Sequence, residues 1–270
     1  VTPEPAVPRP AATVLLLRDT PGERPLQVFL QRRVAGMAFA GGMTVFPGGG
    51  VDQADVPDPE LWAGPLPEWW GERFAAEPVA AGRLVHAAVR ETFEECGVLL
   101  AARSDGTTPD PMVLAEARAD LVARRRTLPQ VLVESGLVLR ADLLDAWSRW
   151  ITPEESPRRY DTAFFVAAVP HGQEADAHTT EAVEAAWWYP AEALDRWRAG
   201  EMELMAPTFR TLQEIAEFPD TASVMAAAAA RTVRPVIPKV KREGDEVVVV
   251  LPGDEGFEVA AGHLRPGDLR

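Results

Sequence analysis

The chain has 270 residues, 47% of them hydrophobic and 25% charged, the make-up of a globular protein with a sizeable core. Its formal net charge of −14 at pH 7 excludes the basic footprint that grips nucleic acid or an anionic membrane, and its single cysteine, Cys96, excludes an intrachain disulfide. An anionic small molecule would therefore need local help from a metal ion or an arginine. The N-terminal VTPEPAVPRP has no apolar signal core, and the longest apolar runs, AFFVAAV and VMAAAAA, are too short to span a bilayer, so the expectation is a cytoplasmic protein.

In chain order, residues 1–10 hold four prolines and read as an arm. AATVLLLR (11–18) and LQVFLQRR (26–33) read as strands of a hairpin around the turn DTPGERP. A glycine-rich connection leads into a short strand, MTVF, that ends at PGGG (47–50). There Gly48, Gly49 and Gly50 let the backbone approach a ligand closely, and a plain tight turn is the alternative. Residues 56–82 are dense in proline and carry Trp62, Trp69, Trp70 and Phe74, a composition unlike their flanks, which predicts an inserted excursion.

Residues 83–96, RLVHAAVRETFEEC, predict a helix. Val85, Ala88, Val89, Thr92 and Cys96 recur at three- and four-residue steps along a buried stripe, and Gly97 is the stop. Helical segments follow at 111–126, 128–135 and part of 141–150, then strands at 159–169 and 181–189. PAEALDRWRAG is a helix with proline at its start and glycine at its end. Helices at 207–217 and 220–231 and strands at 235–241 and 245–251 complete the chain. This order predicts an α/β/α sandwich with a mixed sheet: one domain over 11–231, with the insertion 56–82 and a helical segment 111–150, and a C-terminal β extension over 232–270.

Within the helix, Glu91, Glu94 and Glu95 fall in an arc of roughly 100° opposite the buried stripe. Like charges at such spacings destabilise a helix, and a cation among them reverses the sign. The alternative is a solvated acidic face with Arg90 paired to Glu94 one turn on. Arg90, Glu91, Glu94, Glu95, Gly97 and Val98 match R-E-x-x-E-E-x-G-apolar, the centre of the Nudix box, in register. Such a set of fixed letters coincides by chance on the order of a few times per million starting positions. The chain resembles a Nudix hydrolase.

The full pattern places a glutamate after a glycine and five residues. Here Asp55 follows Gly49 at that distance, and Arg90 comes 34 residues later where the pattern allows seven. Such an interrupted box resembles the coenzyme A diphosphatase branch, in particular its peroxisomal-type members. VFPGGGVD, AAVRETFEECGVLL, RRYDTAFFVA and LPGDEGF carry that likeness.

The resemblance implies Mg²⁺ or Mn²⁺, which suit hard carboxylate oxygens. It implies Glu94 and Glu95 as ligands, Glu91 as ligand or general base, the Gly49 carbonyl as a further ligand and Arg90 as the residue that orients Glu91. Glu181 and Glu184 are candidates from outside the box. The coenzyme A motif matches at Arg33, Gly42 and Phe46-Pro47-Gly48-Gly49, with Ala38 at the second arginine position. Arg32 or Arg33 would meet the 3′-phosphate, and strand alternation allows only one of them to do so. The tryptophans of the insertion would line a wall for the acyl tail, or pack on the core or on a second subunit of a homodimer. The expected substrate is coenzyme A or an acyl-coenzyme A, with ADP-ribose or NADH as the enzymatic alternative and a silent binding module as the alternative of another class.

Overall fold

The fold is built around β1 (Arg9–Asp19) and β2 (Leu26–Arg33), which form the expected hairpin; β3 (Thr44–Val45) pairs with β2, and β4 (Gly48–Gly50) with β1. The structure, a computed structural model, describes residues 5–23, 25–36, 40–107, 111–176, 182–243 and 246–251. Strand β5 (Trp62–Ala63) and helix α1 (Pro67–Phe74) precede the long helix α2 (Pro78–Cys96). Then come β6 (Ala101–Ala102), α3 (Pro111–Val122), α4 (Leu128–Ser135), β7 (Val138–Arg140), β8 (Asp145–Ile151), β9 (Tyr160–Ala168) and β10 (Ala182–Trp188). Helices α5 (Pro190–Arg198), α6 (Ala206–Ile215) and α7 (Thr221–Ala230) lead to β11 (Pro235–Val236) and a hairpin of β12 (Lys239–Glu243) and β13 (Glu246–Val250).

The main sheet runs β10-β2-β1-β9-β8-β11, with β3 and β4 attached at its side. It is mixed: β1 and β9 are parallel, as are β8 and β11, and the other pairs are antiparallel. Successive side chains of β1 go to opposite faces. Ala12, Val14 and Leu16 pack under α1 and α2, whereas Leu15 and Leu17 pack under α5, α6 and α7 against Leu194, Leu212 and Val224. This is the expected Nudix-type sandwich, with helical insertions and strands beyond its core. Among the described residues, no helix is long and apolar enough to cross a membrane.

Several expectations are corrected. Of residues 141–150, expected to be partly helical, only Ala141–Leu143 form a short 3-10 helix, and Asp145–Ile151 form β8. A register shift at Ala146/Ser148 breaks the two-residue period and leaves Trp147 and Trp150 buried three apart, a spacing that imitates a helix face. The arm is shorter than 1–10, because Arg9 and Pro10 already pair with β9. The extension from 232 begins inside the main sheet, where β11 lies beside β8. Most of the LPGDEGF stretch lies outside the described residues.

The excursion is part of the core. Trp70 and Phe74 are fully buried, their rings 5.5 and 4.9 Å from that of Phe165 on β9. Both Trp62 and Trp70 donate their indole N–H to the Pro65 carbonyl, at 2.9 and 3.1 Å. Strand β5 pairs in parallel with β7, so the loop is tied down at its middle as well as at its ends. Residues 78–82, assigned to the insertion from composition, are the first turns of α2, with Pro78 at a position where a missing N–H costs nothing. Replacing Trp70 by alanine should cost about 3–5 kcal/mol. In a chain of this size the thermal midpoint would then fall by roughly 10 °C, measurable by differential scanning calorimetry.

His86, also on α2, is fully buried beside Trp62, and neither ring nitrogen has a hydrogen-bond partner among the described residues. Burial pushes its pKa from 6.5 down to about 4, against the pull of Asp55 and Asp58 and with the help of Arg90. The folded state thus holds His86 neutral where the unfolded chain would protonate it. Its contribution to stability is full above about pH 6.5 and is lost as pH falls towards 4, by on the order of 3 kcal/mol. His86→Leu should flatten the parent's loss of stability across that window in denaturant titrations run at several pH values.

Candidate active site

Helix α2 presents the site because of how it ends. Gly97 takes a left-handed φ of 74°, and its N–H donates to the Phe93 carbonyl at 3.0 Å, which stops the helix one residue after Cys96. The acidic residues lie within the last two turns before that stop, against β4 and the α2-facing side of β2.

The alternative of a solvated acidic face does not hold at Glu95, which is only 4% exposed. Its Oε2 accepts from the Gly48 backbone N–H at 2.7 Å and from the Gln31 side-chain amide. Gly49 passes so close that a Cβ on it would lie 2.5 Å from Oε1 of Glu91. The glycine run is therefore a close approach of backbone to carboxylate rather than a plain turn.

Arg90 organises the rest. Its Nε and Nη2 donate to the two oxygens of Asp55, both at 2.9 Å, and Nη2 also reaches the Gly50 carbonyl at 2.9 Å. Nη1 donates to Glu91 Oε1 at 2.8 Å and to Glu94 Oε2 at 3.4 Å. Burial works against the Arg90 charge, but Asp55, Glu91 and Glu94 outweigh it and raise its pKa.

The carboxylates are pushed the other way. Burial raises Glu91, with Arg90 opposing and Glu94 adding to it. Burial also raises Glu95, reinforced by Glu91 and only partly offset by Gly48 N–H, Gln31 and Arg33. Burial raises Glu94 against the pull of Arg90 and, less strongly, Arg124. All face a cavity of about 370 Å³ whose far wall is the α3–α4 segment.

A family profile described as the NUDT19 Nudix domain matches residues 76–215, from the end of α1 to the end of α6. The chain belongs to the Nudix family. It is 30% identical over 302 residues to an acyl-coenzyme A diphosphatase NUDT19 of Gallus gallus, covering 92% of this chain and 79% of that protein. The Homo sapiens protein of the same name is 27% identical over 282 residues, covering 87% and 75%. A Nudix hydrolase crystal structure from Alicyclobacillus acidocaldarius superposes with a TM-score of 0.64 at 28% identity, over 82% of this chain and 96% of that one.

Among the described residues, no group of three or more His, Cys, Asp or Glu stands ready as a metal cage. Arg90 draws Glu91 and Glu94 towards itself, and Glu95 turns to Gly48 and Gln31. The chemistry of the Nudix site nonetheless fits a hard divalent cation. The donors around the Gly49 approach are oxygens, burial holds Glu91 and Glu95 towards the protonated form, and Gln31 Oε1, beside Glu95, is buried with no hydrogen-bond partner among the described residues.

Of the residues singled out from sequence, Arg90, Glu91, Glu94, Glu95, Gly48, Gly49 and Gly50 come together. Arg33 shares the α2-facing side of β2 with Phe29 and Gln31, and its charge acts on Glu95. Arg32 lies on the opposite side, exposed, 3.5 Å from Glu184, so Glu184 is not brought to the cavity. Glu181 and Ala38 lie outside the described residues.

Sequence reasoning missed Gln31, although a glutamine in the apolar strand LQVFLQRR at the period of Phe29 is a visible signal. It noted Asp55 only as a mismatch in the box. Because Glu95 is held protonated by burial and by Glu91, its ionisation costs the fold stability, present at low pH and lost as pH rises through its raised pKa. In metal-free protein, Glu95→Gln should therefore raise the thermal midpoint more at pH 8 than at pH 5. It should also shrink the further rise on adding Mg²⁺ to parent protein, read by scanning fluorimetry.

Proposed function

We propose that the chain is a Mg²⁺- or Mn²⁺-dependent diphosphatase that cleaves coenzyme A or acyl-coenzyme A to 3′,5′-ADP and the corresponding 4′-phosphopantetheine. The observation that carries the diphosphatase reading is the Arg90 fork, which brings Asp55, Glu91 and Glu94 together beside the Gly49 approach although 34 residues, where the pattern has seven, separate Asp55 from Arg90. Support for the coenzyme A substrate comes from the relatives' names and from Arg33 on the α2 side of the sheet.

Glu91, Glu94, Glu95 and the Gly49 carbonyl would hold the cation, which when bound neutralises the diphosphate and acidifies a water. Arg90 fixes Glu91 through Oε1 and leaves Oε2 to take a proton as water oxygen adds to phosphorus and the P–O–P bridge breaks. Arg33 meets the 3′-phosphate of the nucleotide half through charge-assisted hydrogen bonds.

Turnover with Mg²⁺ or Mn²⁺ on coenzyme A, dephospho-coenzyme A, ADP-ribose and NADH, with products weighed by mass spectrometry, tests this. Coenzyme A should exceed its dephospho form in kcat/KM by at least about 10-fold, and Arg33→Ala should erase most of that gap. Glu94→Gln should lower all turnover at least about 100-fold. Preference for ADP-ribose or NADH would move the substrate, and undiminished turnover in Glu94→Gln would remove the metal assignment.

A further inference from the structure

Three consecutive arginines, Arg124, Arg125 and Arg126, follow α3 at the wall of the cavity that faces the α2 carboxylates. Two are taken up locally. Asp120 pairs with Arg125 at 2.5 Å and with Arg126 at 2.9 Å, and Glu134 pairs with Arg126 at 3.2 Å. Among the described residues, the Arg124 guanidinium has neither a hydrogen bond nor an ion pair, and it lines the cavity together with Asp52, Glu91 and Glu94.

The backbone makes this arginine conspicuous. Arg124 has a φ of +54°, the left-handed region that L side chains avoid. Its N–H donates to the Leu121 carbonyl and that of Arg125 to the Asp120 carbonyl, both at 2.8 Å, the paired bonds that end a helix and that ordinarily place glycine at this position. Local structure alone would favour glycine here, and among the described residues the side chain is held by no contact, acting only at a distance on Asp52 and Glu94 across the cavity.

An electrostatic account points to the cavity. The carboxylates on α2 already have Arg90 in their midst. A diphosphate seated against them through divalent cations would still present phosphate oxygens to the opposite wall, where Arg124 stands. A guanidinium offers such oxygens two donors in a planar fork.

We propose that Arg124 binds the substrate diphosphate from the side opposite the α2 carboxylates, so that the scissile group is held between α2 and the α3–α4 turn. The inference rests on the diphosphatase reading for what fills the cavity.

Binding of imidodiphosphate, a non-hydrolysable diphosphate, in Mg²⁺ by titration calorimetry tests it without turnover. Arg124→Gly should bind at least about 10-fold more weakly than parent, with Arg124→Lys between them. The thermal midpoint of Arg124→Gly should stay level or rise, because glycine suits the left-handed position. No binding by the parent, equal binding by parent and Arg124→Gly, or a midpoint that falls in step with affinity would overturn the proposal. Parent that hydrolyses coenzyme A while Arg124→Gly binds normally would sink the Arg124 site and spare the diphosphatase reading. Parent that binds imidodiphosphate through Arg124 yet hydrolyses no diphosphate substrate would do the reverse.

Discussion

The fork of Arg90 onto Asp55 is the contact on which the site depends. Its geometry is two parallel N–H to oxygen bonds at 2.9 Å, on a carboxylate that is 1% exposed and also accepts the Asp52 N–H at 2.7 Å. Charge-assisted pairs of this planar kind are among the strongest polar contacts a protein makes, and breaking one partner of a buried pair leaves an uncompensated charge. With Asp55 anchored, Arg90 can reach Gly50, Glu91 and Glu94 together, which sets β4 against the acidic turns of α2. The excursion between Asp55 and α2 then has fixed ends, whatever its length.

Burial around that fork raises the cost of negative charge on the α2 glutamates. Burial raises both Glu91 and Glu95, with Glu94 adding to it at Glu91 and Glu91 adding to it at Glu95, and the donors that offset this are few: Arg90 for one, Gly48 N–H and the Gln31 amide for the other. A fold optimised only for stability would not stack carboxylates in this way, and local conflict of this kind is the physical mark of a site held ready for a ligand. The two sides of the cavity differ in charge, with carboxylates on α2 and the Arg124 guanidinium on the α3–α4 turn.

The sequence made the centre of this arrangement legible because its signals are local. The stripe of Val85, Ala88, Val89, Thr92 and Cys96, the stop at Gly97 and the hairpin of β1 and β2 follow from periods and caps that need no distant partner. What it hid depends on tertiary contact. The acidic face looked solvated because nothing local reveals that β4 and Gln31 cover Glu95. The β8 segment looked helical because its bulge gives Trp147 and Trp150 a helical spacing. The tryptophans of the excursion could have faced substrate or core, and only the Phe165 contacts assign Trp70 and Phe74 to the core. Arg124 was invisible among three arginines until Asp120 and Glu134 were seen to claim the other two.

The small sheet β5-β7-β6 has a further consequence. Ala102 of β6 lies directly opposite Val138 of β7 in an antiparallel ladder, so the chain leaves for α3 and α4 and returns at points about 5 Å apart. Helices α3 and α4 thus leave and rejoin the domain at one place, while Ala117, Leu121, Leu128, Val131 and Leu132 pack into the core they share with α2, and the neighbouring pairing of β7 with β5 ties their return to the excursion carrying Trp70. A segment with adjoining ends can change length at its exposed turns without shifting the register of the main sheet. The cavity wall formed by the exposed turn after α3 can therefore vary in its polar residues while the core positions Leu121 and Leu128 hold it against α2.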